Sequence, residues 1–389
     1  MPAEEEIATG PRYDRTRVMP SRDGRMDTRL PAFMAALLVV STSALGAVAP
    51  QAPEPITLFK GVAQPEPSVR VRWAPRGGAI ATTGFLSRTE VSADQTLPRD
   101  GPLVVSGLLL LSLKGEDPMV LSAETSNFTW ADDAKHIVQQ LSLGPSGESR
   151  FYSIDVETGG MTPLLTVSRS VDTYTFSPDG GRIAYLQDDQ QIVVADLTRQ
   201  KPVSRPVRVP DDIHPYFVVW LGRTGQLLLN SIEGMCLVDP NTKAFTRLQM
   251  PKDVDLSRVY EERYVGADRE GNQFAVAWYD ASGFACIYLF RKGQAGWQSQ
   301  RLTAAGRENL LAFPTFSPDG SRIAFVRSGA GGGGRYSLWV MPARGGDAVL
   351  VADDLQRSWF PAGFDWSPDC GYLAYADVRG SVRIVAAAK

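Results

Sequence analysis

The chain has 389 residues, 43% of them apolar and 21% charged, with a net charge of −3. That content suffices for a large buried core, and the near-neutral balance leaves no basic footprint for nucleic acid. After residue 54 no run has the amphipathic period of an ordinary helix, so the bulk of the chain reads as β structure.

Residues 1–29 are polar, with six arginines balanced by six acids, and residues 30–49 then run uncharged for 20 positions. Such a run is the apolar core of a secretory signal or a membrane anchor, and a buried core segment is the bland alternative. A start at Met26 gives signal-peptide proportions, although Pro50 disfavours cleavage after Ala49; a start at Met1 fits an uncleaved anchor with its amino terminus inside. No cysteine closes the apolar run, which argues against a lipid-modified terminus. A Pro-rich linker, residues 50–55, separates this segment from the remainder of the chain, so the expectation is an exported domain over residues 56–389, periplasmic or secreted.

The next segment, Ile56 to Lys60 ("ITLFK"), precedes the first repeated unit and belongs to none. The repeats are marked by "FSPDG" at Phe176 to Gly180 and Phe316 to Gly320 and by "WSPDC" at Trp366 to Cys370. In each, Pro presets a turn, Asp tolerates its third position, and Gly supplies the left-handed one. With degenerate copies allowed, the residues at Trp73, Trp130, Phe176, Trp220, Gly266, Phe316 and Trp366 step by 57, 46, 44, 46, 50 and 50. Several short strands repeated at this period predict a β-propeller of seven four-stranded blades, with six or eight as alternatives.

The sixth unit reads from the inside out as "FPTFS", "RIAFV", "YSLWVMP" and "DAVLVA", and the third as "YTFS", "RIAYL", "QIVVADL" and "RPVRV". The seventh stops one strand short at Lys389, so "ITLFK" is expected to complete it and close the ring. The first unit carries an insertion, Gly84 to Gly107.

The pattern [FW]-S-P-D-G-x-x-[IL]-A-[FY], followed by "LWVMPARGG" and a closing apolar strand, resembles the repeats of TolB-type β-propellers. Such propellers also form the amino-terminal domains of prolyl-oligopeptidase-like enzymes. The likeness is strong in units three, six and seven, weak in the other four, and spans residues 54–389. It implies an exported, non-catalytic scaffold that binds a protein or cell-envelope component. A glycan- or small-ligand-binding sensor is the alternative.

Chemistry-bearing residues are sparse. No GxSxG elbow occurs, and no residues remain to build a hydrolase domain. Oligogalacturonate lyases, which resemble TolB-type propellers, use a histidine-rich metal site; His136 and His214 are too few for one. The Gly-rich run Ser328 to Ser337 lacks the Gly-Lys-Ser/Thr ending of a phosphate loop. Cys236 and Cys286 fall in third strands, Cys370 in a turn, with no disulfide framework or metal spacing. The expectation is a monomer with no catalytic residues, no cofactor and no metal.

Propellers present ligands at the channel mouth, on the face made by loops entering each inner strand and loops joining second to third strands. The entering loops hold Arg70, Asn127, Asp172, His214, Tyr260, Glu261, Arg307, Asn309, Arg357 and Trp359, which form the candidate binding set. Trp359 beside Arg357 has the makeup of an interface hot spot.

Overall fold

Local turn chemistry dictates the hairpins. In the computed structural model, Ser177 donates to the Asp179 carboxylate, its Oγ accepts the Arg182 N–H at 2.9 Å, and Asp179 Oδ1 accepts the Gly181 N–H at 3.0 Å. Ser317 with Asp319 and Ser367 with Asp369 repeat this closure. All three serines are buried, and the fourth turn position is left-handed each time: Gly180 at φ 69°, Gly320 at 70° and Cys370 at 61°. The pentapeptide is therefore a hydrogen-bonded unit that turns the inner strand into the second.

The structure describes residues 54–60, 69–87, 104–143, 148–167, 171, 173–188, 190–199, 202–255, 264–304, 311–328, 336–356 and 363–387. They form seven four-stranded antiparallel sheets arranged as a ring, the predicted seven-bladed propeller. The inner strands are Val71–Trp73, Phe128–Trp130, Tyr174–Phe176, Pro215–Trp220, Val265–Ala267, Leu311–Phe316 and Phe364–Trp366. Among the described residues the one helical element is a 3-10 turn, Gly222–Thr224.

Ring closure agrees with the expectation. Ile56–Phe59 pairs antiparallel with Val382–Ala386 as the outer strand of blade 7, with Ile56 opposite Ile384 and Phe59 opposite Val382. The insertion of the first unit is partly strand: Ala79–Ser87 and Val104–Ser112 pair as far as Ser87 opposite Val104, which prolongs one hairpin of blade 1.

The core is divided by seams. Seven buried apolar clusters each join two neighbouring blades, one at every junction including blade 7 to blade 1, where Phe59, Val71 and Trp73 pack with Ala374 and Val382. No blade buries both faces alone, so stability resides in the stacking. The anchor tryptophans add a directional link. Trp130, Trp220 and Trp366 each donate Nε1–H to an inner-strand carbonyl one blade back, those of Arg72, Thr175 and Thr315, at 3.2, 3.3 and 3.1 Å. Arg182 and Arg322, which come just after the SPDG turns, cover the rings of Trp220 and Trp366 at 4.5 and 4.9 Å.

One register expectation is corrected. The fifth-blade residue equivalent to the anchor aromatics is Ala267, opposite Phe274 as Phe176 is opposite Ile183, and Gly266 is the strand midpoint, opposite Ala275. The glycine is demanded by packing: a Cβ on Gly266 would lie 1.9 Å from the Pro314 carbonyl oxygen.

Candidate functional site

The inner strands of blades 1, 2, 4, 6 and 7 end in the burial pattern buried, half-buried, buried, so their midpoints face the channel, and register carries the same position to blades 3 and 5. In blade order these midpoints are Arg72, Thr129, Thr175, Val219, Gly266, Thr315 and Asp365. The wall is thus mostly polar, with one cation and one anion on adjacent blades. Burial pushes the Asp365 carboxyl above the ordinary carboxylate range, against the pull of the Arg72 charge. Its oxygens accept the Trp73 and Trp366 N–H groups at 2.8 and 3.0 Å. Tyr264 reaches the same zone: its hydroxyl lies 3.1 Å from Thr315 Oγ1, and burial raises its pKa.

Two residues above each midpoint lies the mouth. There the structure brings together Arg70 of blade 1 and Asn127 of blade 2 around the hydroxyl of Tyr174 on blade 3. Burial pushes the Tyr174 phenol well above its usual range, opposed by the Arg70 guanidinium and the Asn127 side chain. Burial likewise lowers the pKa of Arg70; the Tyr174 hydroxyl opposes this and the Arg72 charge adds to it. Tyr174 is held edge-on by Phe151 and Phe176, with ring centroids 5.4 and 5.7 Å away, so its hydroxyl is fixed in place. The opposite half of the mouth is aromatic: Tyr264 meets Phe313 edge-on at 5.8 Å, and Phe217 holds the corresponding position on blade 4.

Of the predicted set, Arg70 and Asn127 therefore meet. His214 lies apart on the rim of blade 4, where its Nδ1 is 2.7 Å from Glu233 Oε1 and its N–H donates to Glu233 Oε2 at 3.0 Å. The histidine holds the Glu233 carboxyl down at about 2, although partial burial alone would raise it. Asp172, Tyr260, Glu261, Arg307, Asn309, Arg357 and Trp359 lie outside the described residues. Tyr174 escaped the sequence reading because "YTFS" looks like one more apolar inner strand. The available signal was its hydroxyl: the residues two before the anchor in the other blades are Val71, Phe128, Val218, Val265, Pro314 and Phe364.

The two histidines sit on opposite faces. His136 opens the second strand of blade 2 at the SPDG-equivalent turn, its Nδ1 2.6 Å from Asp133 Oδ2, whereas His214 precedes an inner strand at the mouth. They cannot ligate one ion. Among the described residues no cluster of three His, Cys, Asp or Glu side chains is placed to hold a metal. The three cysteines are unpaired, and burial raises the thiol pKa of Cys286 to about 11, which makes it a poor nucleophile.

No family model matches the chain. Among solved structures, an oligogalacturonate lyase in complex with manganese is similar at 12% identity and a TM-score of 0.60, covering 87% of this chain and 98% of that one. The β-propeller domain of Cps50 (Swd1) from Myceliophteria thermophila is similar at 14% identity and a TM-score of 0.58, covering 86% and 99%. TolB from Acinetobacter baumannii matches at 16% identity over 82% of this chain and 63% of that one, but its TM-score of 0.38 is too low to bear on the relationship. At these identities the similarity establishes the propeller fold and nothing of the chemistry.

Proposed function

We propose that this chain is an exported, TolB-like β-propeller that works as a non-catalytic monomeric scaffold and takes a protein or cell-envelope component at its channel mouth. The observation that carries this reading is the mouth itself. Arg70 and Asn127, gathered about the buried hydroxyl of a rigidly held Tyr174, lie across the mouth from an aromatic half built on Phe217 and Tyr264. A surface with fixed polar donors on one side and aromatic rings on the other suits an amphipathic segment, because binding orders little that is not already ordered. The separation of His136 and His214 onto opposite faces supports the non-catalytic reading over a metal-dependent lyase.

The export half of the proposal rests on the uncharged run 30–49 behind an arginine-rich lead. A reporter active only outside the cytoplasm, fused after Lys389, should be active; a cytoplasmic signal overturns it. The mouth is tested with a photo-crosslinking residue at Asn127 and, as a control, at Asn241 in a turn of the opposite face. Adducts with an envelope component are expected from position 127 alone. Equal adducts from both positions, or adducts from 241 alone, contradict the reading.

A further inference from the structure

A second recessed site lies on the face opposite the channel mouth, between blades 3 and 4, and holds about 210 Å³. Strand register builds it. On the side of blade 3 that faces blade 4, Arg182 stands opposite Asp196 and Asp196 opposite Val203, while Val194 stands opposite Arg205. Arg199 projects from the turn between the third and outer strands, and Asn241, in the equivalent turn of blade 4, completes the wall.

Three guanidinium groups thus face a single carboxylate. Asp196 is fully engaged: Oδ1 accepts the Thr198 N–H and hydroxyl at 3.0 and 2.6 Å, and Oδ2 accepts Arg199 Nε–H at 3.2 Å. That contact anchors Arg199 by its Nε and leaves its two terminal nitrogens for another acceptor. Arg182 lies over the Trp220 ring, 4.5 Å from its centroid, and among the described residues its guanidinium donates no hydrogen bond to protein. Its counterpart Arg322, over the Trp366 ring, does donate, to the Cys370 carbonyl. Arg205 is exposed on the outer strand and has no carboxylate partner among the described residues. Arg199 is paired with Asp196, Arg182 shares its charge with Asp179 of the neighbouring turn, Arg205 has no carboxylate partner among the described residues, and all three line one recess.

We propose that this interblade cleft binds the phosphate group of a small soluble phosphomonoester. Three guanidinium groups against one lining carboxylate leave an excess of positive charge for an anion, and planar guanidinium forks match phosphate oxygens bidentately. The volume lies below the ~300–1,000 Å³ of sites for drug-sized ligands, so the occupant has a short carbon body. Trp220 pre-orders Arg182 and Asp196 pre-orders Arg199, so two of the three cations are positioned before the ligand arrives.

The test uses the full chain titrated with inorganic phosphate and with glycerol 3-phosphate, at ionic strength held constant with sodium chloride, and reads binding by calorimetry and by melting temperature. Both probes should bind saturably to the wild type. The double variant Arg199→Ala with Arg205→Ala, which touches only exposed side chains, should weaken both at least tenfold while melting within a few degrees of wild type. Should the double variant misfold, Arg205→Ala alone should still weaken both probes measurably. Absence of saturable binding, or equal affinity in the variants, overturns the site; binding of inorganic phosphate without the ester overturns the ligand class.

Discussion

The indole Nε1 of Trp366 donates to the carbonyl of Thr315, 3.1 Å away and one blade back. Trp73, the residue at the same position in blade 1, has no acceptor for its buried Nε1 among the described residues; at that seam the link runs instead from the Trp73 backbone N–H to Asp365. Trp366→Phe should therefore destabilise the ring more than Trp73→Phe, by about 1 kcal/mol, the net value of one hydrogen bond. Parallel denaturant melts measure the difference, and equal losses would show that the tryptophans act by volume alone.

Cys370 occupies a left-handed turn position at φ 61° where Gly180 and Gly320 stand in the sister turns. A non-glycine residue there is strained by about 1–3 kcal/mol, and glycine gives back part of the relief as chain entropy. Cys370→Gly should raise stability by about 1 kcal/mol. Cys370→Ala, which keeps the Cβ, should not. Thermal unfolding of the pair separates backbone strain from loss of the thiol.

The turn carboxylate of Asp319 would be raised by its partial burial, but the Ser317 hydroxyl and the Ser321 N–H and hydroxyl outweigh this and bring it to about 2. A depressed carboxyl adds stability that is full above the ordinary carboxylate range and is lost as pH falls through about 2. Because the residue is exposed, solvent screening holds its share to roughly 1 kcal/mol or less. Asp319→Asn should melt lower at pH 7 yet lose less melting temperature between pH 4.5 and pH 2 than the wild type. Parallel curves would assign the acid limb to other groups.

Deleting Ile56 to Lys60 removes the outer strand of blade 7 and with it Phe59 from the seam cluster shared with Trp73. The exposed edge should lower the melting temperature clearly and make the protein prone to associate through blade 7. Light scattering and calorimetry read both effects; an unchanged melt would mean that the closing strand is dispensable.

Turns were the legible part of this molecule. "FSPDG" encodes its geometry within five residues, and the period of those turns yields the blades, the closing strand and the third-strand positions of Cys236 and Cys286. The mouth was half legible. Arg70 and Asn127 are predictable from their place before inner strands, but what joins them is Tyr174, distant in sequence and brought near only by the ring. The Gly266 register slipped by one because a short, degenerate inner strand gives no anchor aromatic to count from, and its true position is set by a carbonyl of the next blade. Likewise the cationic cleft depends on which side of blade 3 faces blade 4, a property of register that a charge count along the chain does not reveal.

The claim that the channel mouth is the binding surface is tested most directly by capturing envelope components on the purified propeller and on its Arg70→Met, Asn127→Ala variant. Both substitutions remove polar groups from the cluster around Tyr174 and leave every apolar side chain of the neighbouring seams in place. The wild type should retain a specific component, and the variant should lose it while its β-rich spectrum and melting temperature stay close to wild type. Undiminished capture by the folded variant would contradict it.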